Sequence, residues 1–184
     1  MTKTVKFVQQ NPRKPVKYEN AIGIEYTLSK YTPDVNIDPQ HSAKENVSAI
    51  EDSMKFNINQ IEDNTTFVTV RADADSIGSM AVLLLRIENN ESKIVDNKIE
   101  FISNCDKNGP QDLEKEKKIL WGAIGRKVSN WKRSMEDRVN FMKQWLTTEN
   151  WELNLKDEII QTKNEYNDVR RESQIEDLDG ITYV

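Results

Sequence analysis

The sequence predicts an α/β fold: a small parallel-sheet βαβ core followed by a long C-terminal helical hairpin. Three observations carry this. A β-branched and aromatic run, Thr66-Phe67-Val68-Thr69-Val70, stands just before a strongly apolar segment of helical character, Met80 to Ile87. A second run, Lys98-Ile99-Glu100-Phe101-Ile102-Ser103, follows, and the connection between the two is long enough to lay them side by side in parallel. Beyond Gln111 strand signals stop, and apolar residues recur at three- and four-residue steps.

Composition narrows the classes. The chain has 184 residues, a formal net charge of -5, one Cys and one His. That length suits one domain with a helical appendage. A lone Cys excludes an internal disulfide and a Cys-rich zinc site, and a lone His excludes a His-rich metal site. No apolar run approaches the roughly 20 residues that span a bilayer. The N-terminus is basic but lacks the apolar stretch of a secretory signal. The expectation is a cytoplasmic protein with no membrane partner. Mild acidity argues against nonspecific nucleic-acid binding by the whole surface, but leaves room for a local basic patch.

Residues 1–40 read as an irregular basic arm. Pro12, Pro15, Pro33 and Pro39 oppose continuous helix, while Lys3, Lys6, Arg13, Lys14 and Lys17 supply charge. A solvated tail and a nucleic-acid contact are both compatible with it. Inside it, residues 21–28 alternate loosely and predict a short edge strand. Residues 41–110 form the α/β core. It opens on a helix over 42–60, with Ser42 and Glu45 at capping-box spacing and Val47, Ile50, Met54, Ile58 and Ile61 on one stripe. The strand at 66–70, a polar loop, the apolar helix and the strand at 98–103 complete the unit. Residues 111–175 predict the hairpin. Its first helix carries Leu120, Ile124, Val128, Trp131, Met135, Val139, Met142 and Leu146, and its second, over 154–173, carries Leu155, Ile159, Ile160, Tyr166 and Val169. Residues 176–184 read as an Asp-Gly turn and a strand-like end.

The segment that carries chemistry is Arg71-Ala72-Asp73-Ala74-Asp75-Ser76-Ile77-Gly78-Ser79. It follows a buried strand and opens a helix, where parallel sheets place ligands. Asp73 and Asp75 could converge on a hard divalent cation, and Asp106, ending the neighbouring strand, would reach the same rim. Gly78 would let the backbone approach a ligand, and Ser76 and Ser79, with free helix-start amides, could hold a phosphate oxygen. Arg71 could bind that phosphate, or could take a cation's place by neutralising the aspartates. The plainer reading is that Asp and Ser cap the helix. His41 is either a lone ligand or a surface residue. Asp177 and Asp179 form either a cation-binding turn or an ordinary one. Cys105 reads as a small buried hydrophobe. Trp121, Trp131, Trp145 and Trp151 serve either as core or as a surface for a protein partner or self-association.

Phe67 to Leu85 resembles motif I of the DHH phosphoesterase superfamily: a strand, then D-x-D-x-x-G-S, then an apolar helix. The match is complete over Asp73-Ala74-Asp75-Ser76-Ile77-Gly78-Ser79. The resemblance implies catalytic, metal-binding aspartates at Asp73 and Asp75, with Asp106 as the candidate from a later motif. It implies Mn2+ or Mg2+ as cofactor, and hydrolysis of a phosphoester or phosphoanhydride in a phosphorylated small molecule or short nucleic acid. The family's further positions differ here. Thr69 and Arg71 stand where many members have His or Asp, the Asp-His-His motif is absent, and so is the C-terminal substrate domain. An inactive nucleotide- or phosphate-binding module, a protein-interaction module, or the front part of a split enzyme are therefore the alternatives.

Overall fold

A computed structural model describes residues 3–38 and 47–178, with side chains described as far as residue 169. Four strands form one all-parallel sheet: β1 (Val5–Gln9), β2 (Ala21–Ile24), β3 (Val35–Ile37) and β4 (Thr65–Thr69), in the order β1-β4-β2-β3. Six helices follow or interleave: α1 (Ala49–Lys55), α2 (Ala74–Ile87), α3 (Asp96–Asn108), α4 (Lys115–Ser129), α5 (Met135–Leu146) and α6 (Lys156–Leu178). The α/β class and the helical C-terminal part stand as the sequence predicts.

Register explains the layering. Phe7, Phe67, Ile22 and Val35 lie in one row across the sheet; Phe67 and Ile22 are in the main apolar core, and Phe7 and Val35 pack against it. Above that face lie α5 against β1, α2 against β2 and α1 against β3. Helices α3 and α4 stack on α2 in turn, and α6 packs along α4. Helix α2 is therefore enclosed. Eleven of its 14 residues are buried, which is why its sequence is apolar on nearly every side. Gly78 lets this happen: a Cβ there would sit 2.8 Å from Ile50 Cδ1, with Met142 and Ile102 close behind. Among the described residues, no helix is long and apolar enough to cross a membrane.

Several expectations need correction. The N-terminal arm is not irregular: it supplies three of the four strands. Its prolines Pro12, Pro15 and Pro33 fall in the connections, where a missing amide hydrogen costs no ladder bond. Strand β2 is an interior strand, not an edge, and it ends at Ile24. The expected strand at 98–103 is part of α3. Burial at Lys98, Phe101, Ile102 and Cys105 follows helical spacing, which a six-residue window could not separate from a strand. The helix expected over 42–60 is the short α1, opened by Ser48, whose amide donates to Glu51 Oε2. Ser42 and Glu45 lie outside the described residues. The hairpin is three helices, because Asn130 and Ser134 break the long apolar stripe. Asn130 Oδ1 accepts from the Lys132 amide, and Ser134 Oγ caps α5 through the Asp137 amide. Asp177 falls in α6 rather than in a turn, and Asp179 and the expected strand-like end lie outside the described residues.

Three tryptophans are structural. Phe101 meets Trp121 and Trp151 edge to face, and Trp145 meets Trp151 the same way. Fully buried Lys98 closes this cluster. Its Nζ donates to the Trp145 and Asn150 carbonyls at 2.7 and 3.3 Å and lies 4.3 Å from the centre of the Trp145 ring. Burial lowers its pKa to about 8. Truncation would orphan two carbonyls and empty the cage. Lys98→Ala should therefore cost about 3 kcal/mol in urea unfolding. Unchanged stability would show that the ammonium is dispensable.

Candidate metal centre

The carboxyl edge of the sheet collects acids. Strand β2 is followed by Glu25 at φ 48°, and β3 by Asp38 at φ 45°, both buried. The left-handed turn at Glu25 ends the strand while its amide still donates to the Ile37 carbonyl, which ties it to β3. Strand β4 runs out into Arg71-Ala72-Asp73. The Thr69 and Ser76 hydroxyls both donate to the Arg71 carbonyl, at 2.9 and 2.7 Å, and fix this loop. Asp73 then caps α2, its Oδ1 accepting from the Ser76 amide at 3.0 Å.

In the first turn of α2, Asp75 is buried astride the start of α1. Its Oδ2 accepts from the Ala49 amide at 2.8 Å and its Oδ1 from the Ile50 amide at 3.0 Å. These are first-turn donors with no partner inside their own helix. Asp106, half-buried, arrives from α3. Glu25, Asp75 and Asp106 each bring a carboxylate oxygen within 4.8 Å of the others.

Such crowding shifts protons. Burial, then the charges of Asp73, Asp75, Asp106 and Asp38, push Glu25 up to about 10. Burial, then Asp106, push Asp75 up to about 8, against the pull of the Ile50 and Ala49 amides. Burial and Asp106 likewise raise the Cys105 thiol to about 11, so it behaves as an inert core group.

The residues expected in the site divide. Asp75 and Asp106 meet, although Asp106 comes from a helix and not from the end of a strand. Asp73 stands aside from the cluster of three, capping α2 and pairing with Arg71 at 3.4 Å. Arg71 is 86% exposed and does not lie among the three carboxylates. The Ser76 hydroxyl serves the Arg71 carbonyl, and the Ser79 hydroxyl donates to the Asp75 carbonyl at 2.8 Å. Gly78 faces packed side chains, not a ligand space. His41 lies outside the described residues. The residue that sequence reasoning missed is Glu25. Its signal was present in Ile22-Gly23-Ile24-Glu25 and Val35-Asn36-Ile37-Asp38, two short apolar runs that each end on an acid.

The proton balance sets a stability trend. From ordinary values of 4.5 and 3.8, Glu25 and Asp75 rise to about 10 and about 8 in the folded chain. Between those limits the folded state holds more protons than the unfolded state. Their contribution is complete below the ordinary values and is lost as pH rises through the folded ones. In EDTA, unfolding free energy should fall from pH 5 to 8, by up to about 1.4 kcal/mol per pH unit for each group. Glu25→Gln should flatten the slope. A stability that rises over this window contradicts the assignment.

Comparison of the chain with protein-family models, with curated proteins and with solved structures gives no match in any of the three.

Proposed function

We propose that this protein is a metal-dependent phosphoesterase whose Glu25, Asp75 and Asp106 hold Mn2+ or Mg2+. The observation that supports this reading is the convergence of three carboxylates from β2, α2 and α3 at the carboxyl edge of a parallel sheet. The donor set fits: all three ligands are carboxylate oxygens, the chemistry that hard divalent cations select. Carboxylates this close cannot all ionise without either protons or a cation between them. A cation would displace the protons that Glu25 and Asp75 otherwise keep.

The chain's own residues then have distinct tasks. Each Asp75 oxygen keeps acceptor capacity after taking one amide hydrogen, so the α1 amides orient the carboxylate without exhausting it. Asp73 and Ser76 hold the loop before α2 in shape. Arg71, exposed beside Asp73, offers a guanidinium to a phosphate oxygen. When bound, the cation would supply a lowered pKa for water and charge stabilisation for the departing oxygen. The resemblance of Phe67 to Leu85 to motif I of the DHH phosphoesterases supports the same substrate class: a phosphorylated small molecule or a short nucleic acid. We place the activity in the cytoplasm, where Cys105 stays a thiol.

A second reading, binding without turnover, draws on one observation. Both Asp75 oxygens and the hydroxyls of Ser76 and Ser79 already have partners within the chain. Titration calorimetry with Mn2+, paired with phosphate release from pyrophosphate and a bis-phenyl phosphodiester, separates the two. The phosphoesterase reading expects binding and turnover, with affinity lowered more than about tenfold in Asp106→Asn. Asp106→Asn is the cleaner variant, since Asp75 also holds α1. Binding with no turnover favours the second reading. No binding to the unaltered chain rejects both.

A further inference from the structure

We infer that Trp131 is a stacking platform for a nucleobase, and that the cations around it lead a single-stranded nucleic acid toward the acid cluster. The inference rests on the reading of Glu25, Asp75 and Asp106 as a centre for phosphoester chemistry.

Trp131 is 80% exposed, the most exposed large apolar side chain among the described residues. Its setting is unlike that of the other tryptophans, all of which pack into or against the core. It sits in the turn between α4 and α5. That turn is held by its own bonds: the Arg133 amide donates to the Asn130 carbonyl at 3.0 Å, and the Lys132 amide to Asn130 Oδ1 at 3.1 Å. Lys132 Nζ lies 5.7 Å from the centre of the indole.

A chain of contacts fixes where this turn lies. Arg138 of α5 is buried and donates twice to the Arg133 carbonyl, at 3.2 and 3.0 Å. Its third bond, at 3.0 Å, goes to Oε1 of Gln9, the last residue of β1. Gln9 stands opposite Thr69, the last residue of β4, and Thr69 holds the Arg71 carbonyl. The turn therefore borders the carboxyl edge of the sheet, on which β4 delivers Asp73 and Asp75 and β2 delivers Glu25. Just past β1 on this edge, Arg13 and Lys14 are exposed in a turn closed by the Lys14 amide on the Asn11 carbonyl.

The protein carries -5 overall, and Arg13, Lys14, Arg71, Lys132 and Arg133 are exposed in the connections after β1, β4 and α4, Arg71 paired with Asp73 and Arg133 sharing a groove with Asp137, Asp157 and Glu158. The acids of the segment, Glu136 and Asp137, fall in the first turn of α5, where the helix start favours them. An exposed indole flanked by cations matches the way single strands are held. Bases stack on the ring whatever their identity, and phosphates follow the positive groove. A protein partner would more often bury its tryptophan among other apolar groups, and none adjoins Trp131 in sequence.

The test measures anisotropy of fluorescein-labelled oligothymidylate and oligoadenylate about 12 residues long, titrated with the full chain in EDTA. Trp131→Ala should weaken binding about tenfold, while Trp131→Phe keeps most of it. The pair Lys132→Ala and Arg133→Ala should make affinity less steeply dependent on salt between about 50 and 200 mM. Equal affinity of Trp131→Ala and the unaltered chain, with the same circular dichroism, overturns the inference. So does a Trp131→Ala variant that loses only self-association in sedimentation, which would mark the indole as a protein contact. The two readings fail separately. Binding in EDTA reports on Trp131 alone, whereas Mn2+-dependent hydrolysis of pyrophosphate, which has no base to stack, reports on the acid cluster alone.

Discussion

The carboxylate of Asp75 joins two helices before it can join anything else. It leaves α2, crosses to the start of α1 and accepts the amide hydrogens of Ala49 and Ile50. These two amides are first-turn donors that would otherwise be orphans. Ile50 is gripped a second time, through its side chain, which lies against Gly78. Asp75 and Gly78 are three residues apart, so both face α1 from the same side of α2. The D-x-x-G spacing that looks like ligand chemistry in the sequence is, in the fold, first a rule for seating one helix on another.

That seating places the acids. With α1 fixed against α2, and α3 packed on both, Asp106 of α3 and Glu25, just after β2, each bring a carboxylate oxygen within 4.8 Å of Asp75. Three carboxylates in a region of low solvent access are costly unless something positive or protonic sits between them. A fold that only needed to cap α1 could do so with Asp75 alone. Glu25 and Asp106 bring further negative charge to the same place, and this excess of acid is the physical basis for reading the cluster as a cation site.

The sequence made part of this legible. Strand β4 and helix α2 stand out because one is β-branched and the other is apolar all round. Asp75 was legible from its place after a strand; Asp106 was expected at the end of a neighbouring strand, and it reaches the cluster from α3 instead. The N-terminal strands were hidden. They are three to five residues long, no α-helix joins them, and prolines in the connections make the whole segment look irregular. Glu25 was hidden with them, because its left-handed turn has no glycine to announce it. The break between α4 and α5 was invisible for a different reason. Trp131 keeps the apolar spacing between Val128 and Met135 in the sequence, although in the fold its side chain is exposed and the helix stops at Ser129.

The site reading depends on a cation seated among Glu25, Asp75 and Asp106 and not between Asp73 and Asp75, where the motif alone would put it. Diffraction from crystals soaked in Mn2+, collected at the manganese absorption edge, tests this directly. The account predicts an anomalous peak within coordination distance of one oxygen from each of the three carboxylates, about 2.0–2.6 Å. A peak on Asp73 without Glu25, or no peak at the cluster while Mn2+ occupies other carboxylates, would contradict it.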